Sequence, residues 1–136
     1  MKRVLIVCTG NSCRSQIAEG LINALWGDRW QASSAGTHPG VLNPRAVEVM
    51  ADIGIDISHH RSKSIDEFAG QSFDMVVTVC DSARDECPFF PGAGETVHLP
   101  IADPAPHTDV PGETGLRHFK HARDQLLESL AEILAE

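Results

Sequence analysis

The sequence predicts an α/β fold: a four-stranded parallel sheet flanked by helices on both faces. Three observations predict it. Val4–Val7 and Phe73–Val79 are short runs rich in apolar residues, as expected of strands covered on both faces. Stretches with helical spacing alternate with strand-like stretches along the whole chain. With 136 residues, 42% of them hydrophobic, the chain has the length and apolar content of a single domain, residues 1–136, with one core.

Taken in order, the first strand, Val4–Val7, stops at the turn-rich stretch Cys8-Thr9-Gly10-Asn11-Ser12. The spacing of Ile17, Leu21, Ile22 and Leu25 predicts a helix from about Arg14, which Gly27 ends. Residues 30–35 read as a second strand leading into Ala35-Gly36-Thr37. Asn43-Pro44 is a helix start with proline at the first helical position. Ala46, Val47, Val49, Met50 and Ile53 form that helix's apolar side, and Gly54 closes it. Ser64 is the cap of a short helix reaching about Ala69. Phe73–Val79 is the third strand, with Cys80 at its carboxyl end as Cys8 is at the end of the first. Residues 81–87 are polar, helical or loop-like, and Pro88, Pro91, Gly92 and Gly94 break regular structure. Glu95–Leu99 is the fourth strand. Pro100–Gly115, rich in Pro, Gly and His, reads as a long loop, of a length that is usually functional or disordered. A last amphipathic helix buries Phe119, Ala122, Leu126, Leu130, Ile133 and Leu134.

Eleven basic residues against 19 acidic give a formal net charge of -8, which argues against nucleic acid and anionic membranes as partners. The longest apolar run, Val4–Val7, is far too short to span a bilayer. Two basic residues precede it, but it lacks the length of a signal peptide's apolar region, so a cytoplasmic protein is expected. In that compartment the four cysteines, Cys8, Cys13, Cys80 and Cys87, are expected to be reduced and catalytic or metal-binding rather than structural staples.

Five residues separate Cys8 from Arg14 in Cys8-Thr9-Gly10-Asn11-Ser12-Cys13-Arg14-Ser15. A loop between a buried strand and a helix turns successive backbone N–H groups toward a tetrahedral oxyanion, and the helix N-terminus adds positive potential. Gly10 allows close backbone approach, and Asn11 tolerates a left-handed conformation. Arg14 can give an oxyanion two parallel hydrogen bonds. Cys8 lies below the anion, where the same field favours its thiolate, and Ser15 can donate to that sulfur. Residues 1–18 hold Lys2, Arg3 and Arg14 and no acid. Asp103-Pro104 lies in the long loop and can present a carboxylic acid to a departing oxygen. Cys8, Cys80 and Asp103 should all fall at the carboxyl edge of the sheet, where ligands of such folds bind.

These residues, with Ser34-Ala35-Gly36, Asn43-Pro44 and Ile57-Ser58, resemble the low-molecular-weight tyrosine phosphatase fold over nearly the whole chain. Within it, Cys8 through Gln16, Val77-Thr78-Val79-Cys80 and Cys87-Pro88 resemble the thioredoxin-coupled arsenate reductases more closely than the phosphatases. The resemblance implies Cys8 as nucleophile, Cys80 and Cys87 as redox partners, arsenate as substrate and Thr9 to Ser15 as its binding loop. It implies no bound cofactor, with reducing equivalents from thioredoxin, and glutaredoxin with glutathione stays open as donor. A monomer is expected.

Electron counting supports three thiols. Phosphate ester hydrolysis needs only Cys8, Arg14 and Asp103, whereas reduction of arsenate to arsenite needs two electrons. A second thiol must attack Cys8 to release arsenite, and a third can move the resulting disulfide outward. Cys80, at a neighbouring strand end, suits the second step, and Cys87 suits the third. Two structural thiols or a zinc site are the rivals, but the cysteine spacings are not the usual zinc pattern. Cys13 has no step in the relay; it reads as a structural thiol whose disulfide with Cys8 would be an oxidation hazard. The alternative activity is phosphotyrosine hydrolysis. Phosphatases of this fold line their pocket with aromatic rings, often tyrosines, and this chain has no Tyr. A phosphate-binding or redox-sensing module ranks last, because it leaves Arg14 and Asp103 without a chemical role.

Some reductases of the family bind an alkali cation near the loop, and Asn11, Glu19 and Ser34 match residues used there. Arg61 and Lys63 stand where those relatives have a hydroxyl and an acid. The expectation is therefore no metal, with the Lys63 charge directed toward Glu19. Ala102 replaces an acid found beside Asp103 in relatives. The seven histidines are expected to be solvated, and Trp26 and Trp30 to pack the end of the first helix.

Overall fold

The computed structural model describes residues 1–79 and 90–134. Its strands are β1 (Lys2–Cys8), β2 (Trp30–Gly36), β3 (Phe73–Thr78) and β4 (Ala93–His98). Its α-helices are α1 (Arg14–Leu25), α2 (Pro44–Ala51) and α3 (Gly112–Leu134), and short 3-10 turns form at Ile65–Phe68 and Ala105–His107. The strands form one sheet in the order β2-β1-β3-β4, and every pairing is parallel. The polar stretch 81–87, Cys80 and Cys87 lie outside the described residues.

β1 is central because Val4, Leu5, Ile6 and Val7 have no polar face to give to water, and all four are completely buried. Alternation along it divides the core. Val4 and Ile6 join a large cluster with Ile17, Leu21, Met50, Phe119 and Leu126 from the three α-helices. Leu5 and Val7 join a smaller cluster with Phe73, Val76 and Phe90, against which Ile65 and Phe68 of the first 3-10 turn pack. The α-helices touch one another on the first face, and that turn, capped by Ser64 Oγ accepting from Asp66 N–H, covers the second.

The pairing of Cys8 with Gly36 ends β1 and β2 side by side. The connection from β2 to β3 then passes over β1, which puts a topological switch beside the Cys8 end of the sheet.

Two expectations change. Ile53 lies past the end of α2, which stops at Ala51, and it is 41% exposed rather than on an apolar face. The expected long loop to Gly115 is shorter. Ala105–His107 turns once, and α3 starts at Gly112, whose φ of 66° reverses the chain into the helix. Gly115 is inside the helix and packs so closely on the Val110 carbonyl that a Cβ would lie 2.0 Å from its oxygen.

Asn43 has two functions at the start of α2. Its Oδ1 accepts from Arg45 N–H at 2.9 Å, and its Nδ2 donates to Thr108 Oγ1 at 3.0 Å. Asn43→Ala is expected to cost about 1 kcal/mol for the cap and more for the lost tie, read as a lower urea midpoint at unchanged slope.

Candidate active site

The loop that joins β1 to α1 turns its carbonyls outward. Residues beyond β2 take most of them: Thr37 N–H donates to Cys8 O, His38 N–H to Thr9 O, Gly40 N–H to Gly10 O and Asn43 N–H to Ser12 O. The Asn11 carbonyl accepts from Gln16 Nε2 at 3.1 Å, and the Cys13 carbonyl from Ile17 N–H in the first turn of α1. In a planar trans peptide the N–H points opposite to the carbonyl it shares a bond with. The N–H groups of Thr9 through Arg14 are therefore turned to the inner side. One of them has a visible target: Asn11 N–H donates to Cys8 Sγ at 3.2 Å.

Asn11 is the conformational key. Its φ of 48° is the only positive value at a non-glycine among the described residues, and asparagine tolerates it better than most. Its side-chain amide is saturated. Oδ1 accepts from Lys63 N–H at 2.8 Å and Gln16 Nε2 at 3.0 Å, and Nδ2 donates to Ser15 Oγ at 2.7 Å and Ser34 Oγ at 2.9 Å. Ser15 Oγ lies 3.0 Å from Cys8 Sγ. Ser34 Oγ donates to Glu19 Oε1 at 2.6 Å. Glu19 is flanked by Lys63 Nζ at 3.7 Å and His60 Nε2 at 3.6 Å. Burial holds His60 below the usual imidazole range, against the opposing pull of Glu19.

Above the loop is a cavity of about 240 Å³ lined by Cys8, Thr9, Gly10, Ser12, Cys13, Arg14 and Asp103. That is smaller than the roughly 300–1,000 Å³ of drug-sized sites. Arg14 is anchored by its Nη1, which donates to the carbonyls of Val79 at 3.2 Å and Ile101 at 3.0 Å. Its Nη2 lies 3.7 Å from Asp103 Oδ2. Asp103 Oδ1 accepts from Ala105 N–H at 3.0 Å and from the Cys13 thiol at 3.6 Å. Burial first, and the Asp103 carboxylate second, push the Cys13 thiol up to about 12. Cys13 is thus a hydrogen-bond donor rather than a second thiolate. The first turn of α1 contains no acid to oppose an anion. A second groove, about 430 Å³ along Ile65, Ala69, Phe90 and Pro91, offers one carboxylate, Asp66, and one hydroxyl, Ser72, and among the described residues neither a cysteine nor a basic side chain.

The cavity thus joins most of the residues that the sequence singled out. Asn11 and Ser15 are completely buried and do not line it; their side chains support the loop from beneath. Against the protein Gly10 has room, since a Cβ there would meet only Ser12 Oγ, at 3.5 Å. The close approach is at Gly36, where a Cβ would lie 2.4 Å from Thr9 O and 3.0 Å from Asn11 N. Gln16, Gly36, Ser62 (whose Oγ donates to Gly10 O at 3.0 Å) and the Lys63 N–H are supports that no sequence argument had assigned. Their only signal in the sequence is nearness to Cys8–Ser15, Ser34-Ala35-Gly36 and Ile57-Ser58.

The family described as "Low molecular weight phosphotyrosine protein phosphatase" has a sequence pattern that matches residues 3–136 of this chain. The chain belongs to this family. Its relatives there include arsenate reductases. That of Halalkalibacterium halodurans is 43% identical over 125 residues, 92% of this chain and 89% of the relative. That of Bacillus subtilis (strain 168) is 40% identical over 131 residues, 96% of this chain and 94% of the relative. A solved arsenate reductase in the phosphate binding state superposes with a TM-score of 0.84 at 30% identity, covering 99% of this chain and 98% of that one. A low molecular weight protein tyrosine phosphatase from T. tengcongensis, also 30% identical, superposes at 0.64, covering 96% of this chain and 100% of that one. At equal identity the backbone is nearer to the reductase.

Gly36→Ala is expected to lower stability by about 1–3 kcal/mol in urea titrations, while Gly10→Ala leaves it nearly unchanged. Because the Cys13 thiol stays protonated, iodoacetamide at about pH 8 should label Cys8 and spare Cys13. Fragment mapping by mass spectrometry checks this, and equal labelling of both would contradict it.

Proposed function

We propose that the chain is an arsenate reductase that uses a Cys8/Cys80/Cys87 relay and is reset by thioredoxin, in arsenic detoxification. The carrying observation is the small cavity with a sulfur at its base, Arg14 and Asp103 at its sides and, among the described residues, no aromatic side chain in its lining. The arsenate reductases among its relatives support the choice of oxyanion.

Arsenate enters with its oxygens on the inward N–H groups and Arg14. The Cys8 thiolate forms a bond to arsenic. The opposite As–O bond breaks, and its oxygen leaves as water with a proton from Asp103. Arsenic is still As(V) in this adduct. The Cys80 thiolate then attacks Cys8 Sγ; the S–As electron pair stays on arsenic, which leaves as arsenite, and a Cys8–Cys80 disulfide forms. Cys87 attacks Cys80, freeing Cys8 and leaving a Cys80–Cys87 disulfide for the thioredoxin dithiol. The chain path supports this order: Val79, just before Cys80, donates its N–H to the carbonyl of Val7, just before Cys8, at 3.1 Å. A phosphotyrosine phosphatase would leave Cys80 and Cys87 without a role.

The test is arsenate-dependent NADPH oxidation with thioredoxin and thioredoxin reductase, beside a glutathione/glutaredoxin arm. Turnover is expected in the first arm. Cys8→Ser should abolish it, and Cys87→Ser should release one equivalent of arsenite and stop. Asp103→Ala should slow kcat by about 100-fold or more while phosphate still protects Cys8 from alkylation. Silence in both arms with brisk aryl phosphate hydrolysis would replace the reductase by the phosphatase.

A further inference from the structure

An alkali cation beside the loop, as the family resemblance implies for some reductases, does not fit the donor set of this chain. Both Asn11 amide groups are saturated, with Oδ1 taken by two N–H donors. Ser34 Oγ already accepts from Asn11 and donates to Glu19. The remaining oxygen ligand, Glu19, faces the Lys63 ammonium at 3.7 Å. Both side chains are 13% exposed, so the pair is largely withdrawn from water. Lys63 Nζ is also held by the Arg61 carbonyl at 3.1 Å. A tethered positive charge thus stands where a free cation would have to bind.

We propose that Lys63 is a positioning residue for the nucleophile: its ammonium holds the Glu19 carboxylate in place, and that carboxylate sets the direction of the hydrogen-bond chain ending on Cys8. The proposal rests on Cys8 being the nucleophile. A carboxylate only accepts, so the Ser34 hydroxyl donates to it. The Ser34 lone pairs then meet an N–H, which orients the Asn11 amide with Nδ2 toward Ser34 and Ser15. Ser15 Oγ, having accepted from Asn11, has its own proton left for Cys8 Sγ at 3.0 Å. With the Asn11 N–H, the sulfur receives two donors, the environment of a thiolate. The groups facing Glu19 are Lys63 and His60, and His60 is itself flanked by His59, Asp56 and the Gln16 amide. The backbone of Lys63 separately pins Asn11 and Gly36, so a side-chain substitution leaves those bonds in place.

The measurement is the rate of Cys8 alkylation by iodoacetamide at neutral pH, without arsenate, followed by mass spectrometry. Lys63→Gln should react about tenfold more slowly, and Lys63→Arg within about twofold of the parent. The double variant Glu19→Gln/Lys63→Gln contains no unpaired charge, yet it should be as slow as Lys63→Gln, because the carboxylate that orders the chain is gone. Parent and variants are compared by circular dichroism melting. The parent rate should be the same in potassium chloride and in choline chloride of equal ionic strength. A parent-like rate in Lys63→Gln, recovery in the double variant, or a saturable acceleration of the parent by potassium would each overturn the proposal. Since no arsenate is present, failure here is distinct from a silent reductase assay.

Discussion

The loop after β1 can cradle an anion only while its carbonyls are kept out of the cavity, and each of those carbonyls needs a partner somewhere else. Residues 37–43 supply four of the partners. They are in reach because β2 runs beside β1 in a register that sets Gly36 against Cys8. A slip of one residue would turn every β2 side chain to the other face and remove the N–H groups of Thr37 and His38 from the Cys8 and Thr9 carbonyls. Register, carbonyl direction and anion binding are one constraint. The buried apolar run of β1 enforces it from below, because Val4 to Val7 leave that strand only one depth in the core.

Much of this was legible in the residues. The period-free apolar runs gave β1 and β3, and Asn43-Pro44 and Ser64 gave two caps with the side-chain bonds expected of them. The Cys8 to Arg14 spacing, next to a strand and a helix, carried the cradle, and its Asn11 has the left-handed φ foreseen for it. What was not legible was long-range contact. The glycine packed against the loop is Gly36, 25 residues or more downstream of Thr9 and Asn11, and no local motif marks that contact. Gln16 reads as an ordinary helix residue until its amide is seen to hold the Asn11 and Arg61 carbonyls at once. The Pro- and Gly-rich composition of 100–115 hid the start of α3, because Gly112 and Gly115 serve a chain reversal and a close packing that composition does not distinguish from a loop.

The support beneath the loop is polar where a core is ordinarily apolar. Asn11, Ser15, Gln16 and Ser34 are all completely buried. Such a cluster is favourable only when every donor and acceptor is used, since one orphaned group costs about 1–3 kcal/mol. The Asn11 side chain meets that condition, with two bonds to each of its polar atoms. The left-handed turn at Asn11 is thereby over-determined, which is how a strained backbone residue persists at a functional site. An apolar cluster of the same volume would hold the helix equally well but could not direct a hydroxyl proton at a sulfur.

The upper side of the cavity follows the opposite logic. Asp103 is bound by one backbone N–H, one weak thiol donor and a guanidinium at 3.7 Å, beyond hydrogen-bond length. The guanidinium is fixed by the Val79 and Ile101 carbonyls and does not depend on Asp103 for its position. An arriving oxyanion therefore takes the guanidinium from Asp103 without disturbing the anchor. In the proposed chemistry this leaves the Asp103 carboxyl to face the departing oxygen, and the same contacts serve phosphate or arsenate. The contacts to the anion alone do not discriminate between the two reactions; the size and lining of the cavity do so in part. In the proposed relay the rest comes from a second thiol, which must reach the sulfur before water reaches the adduct.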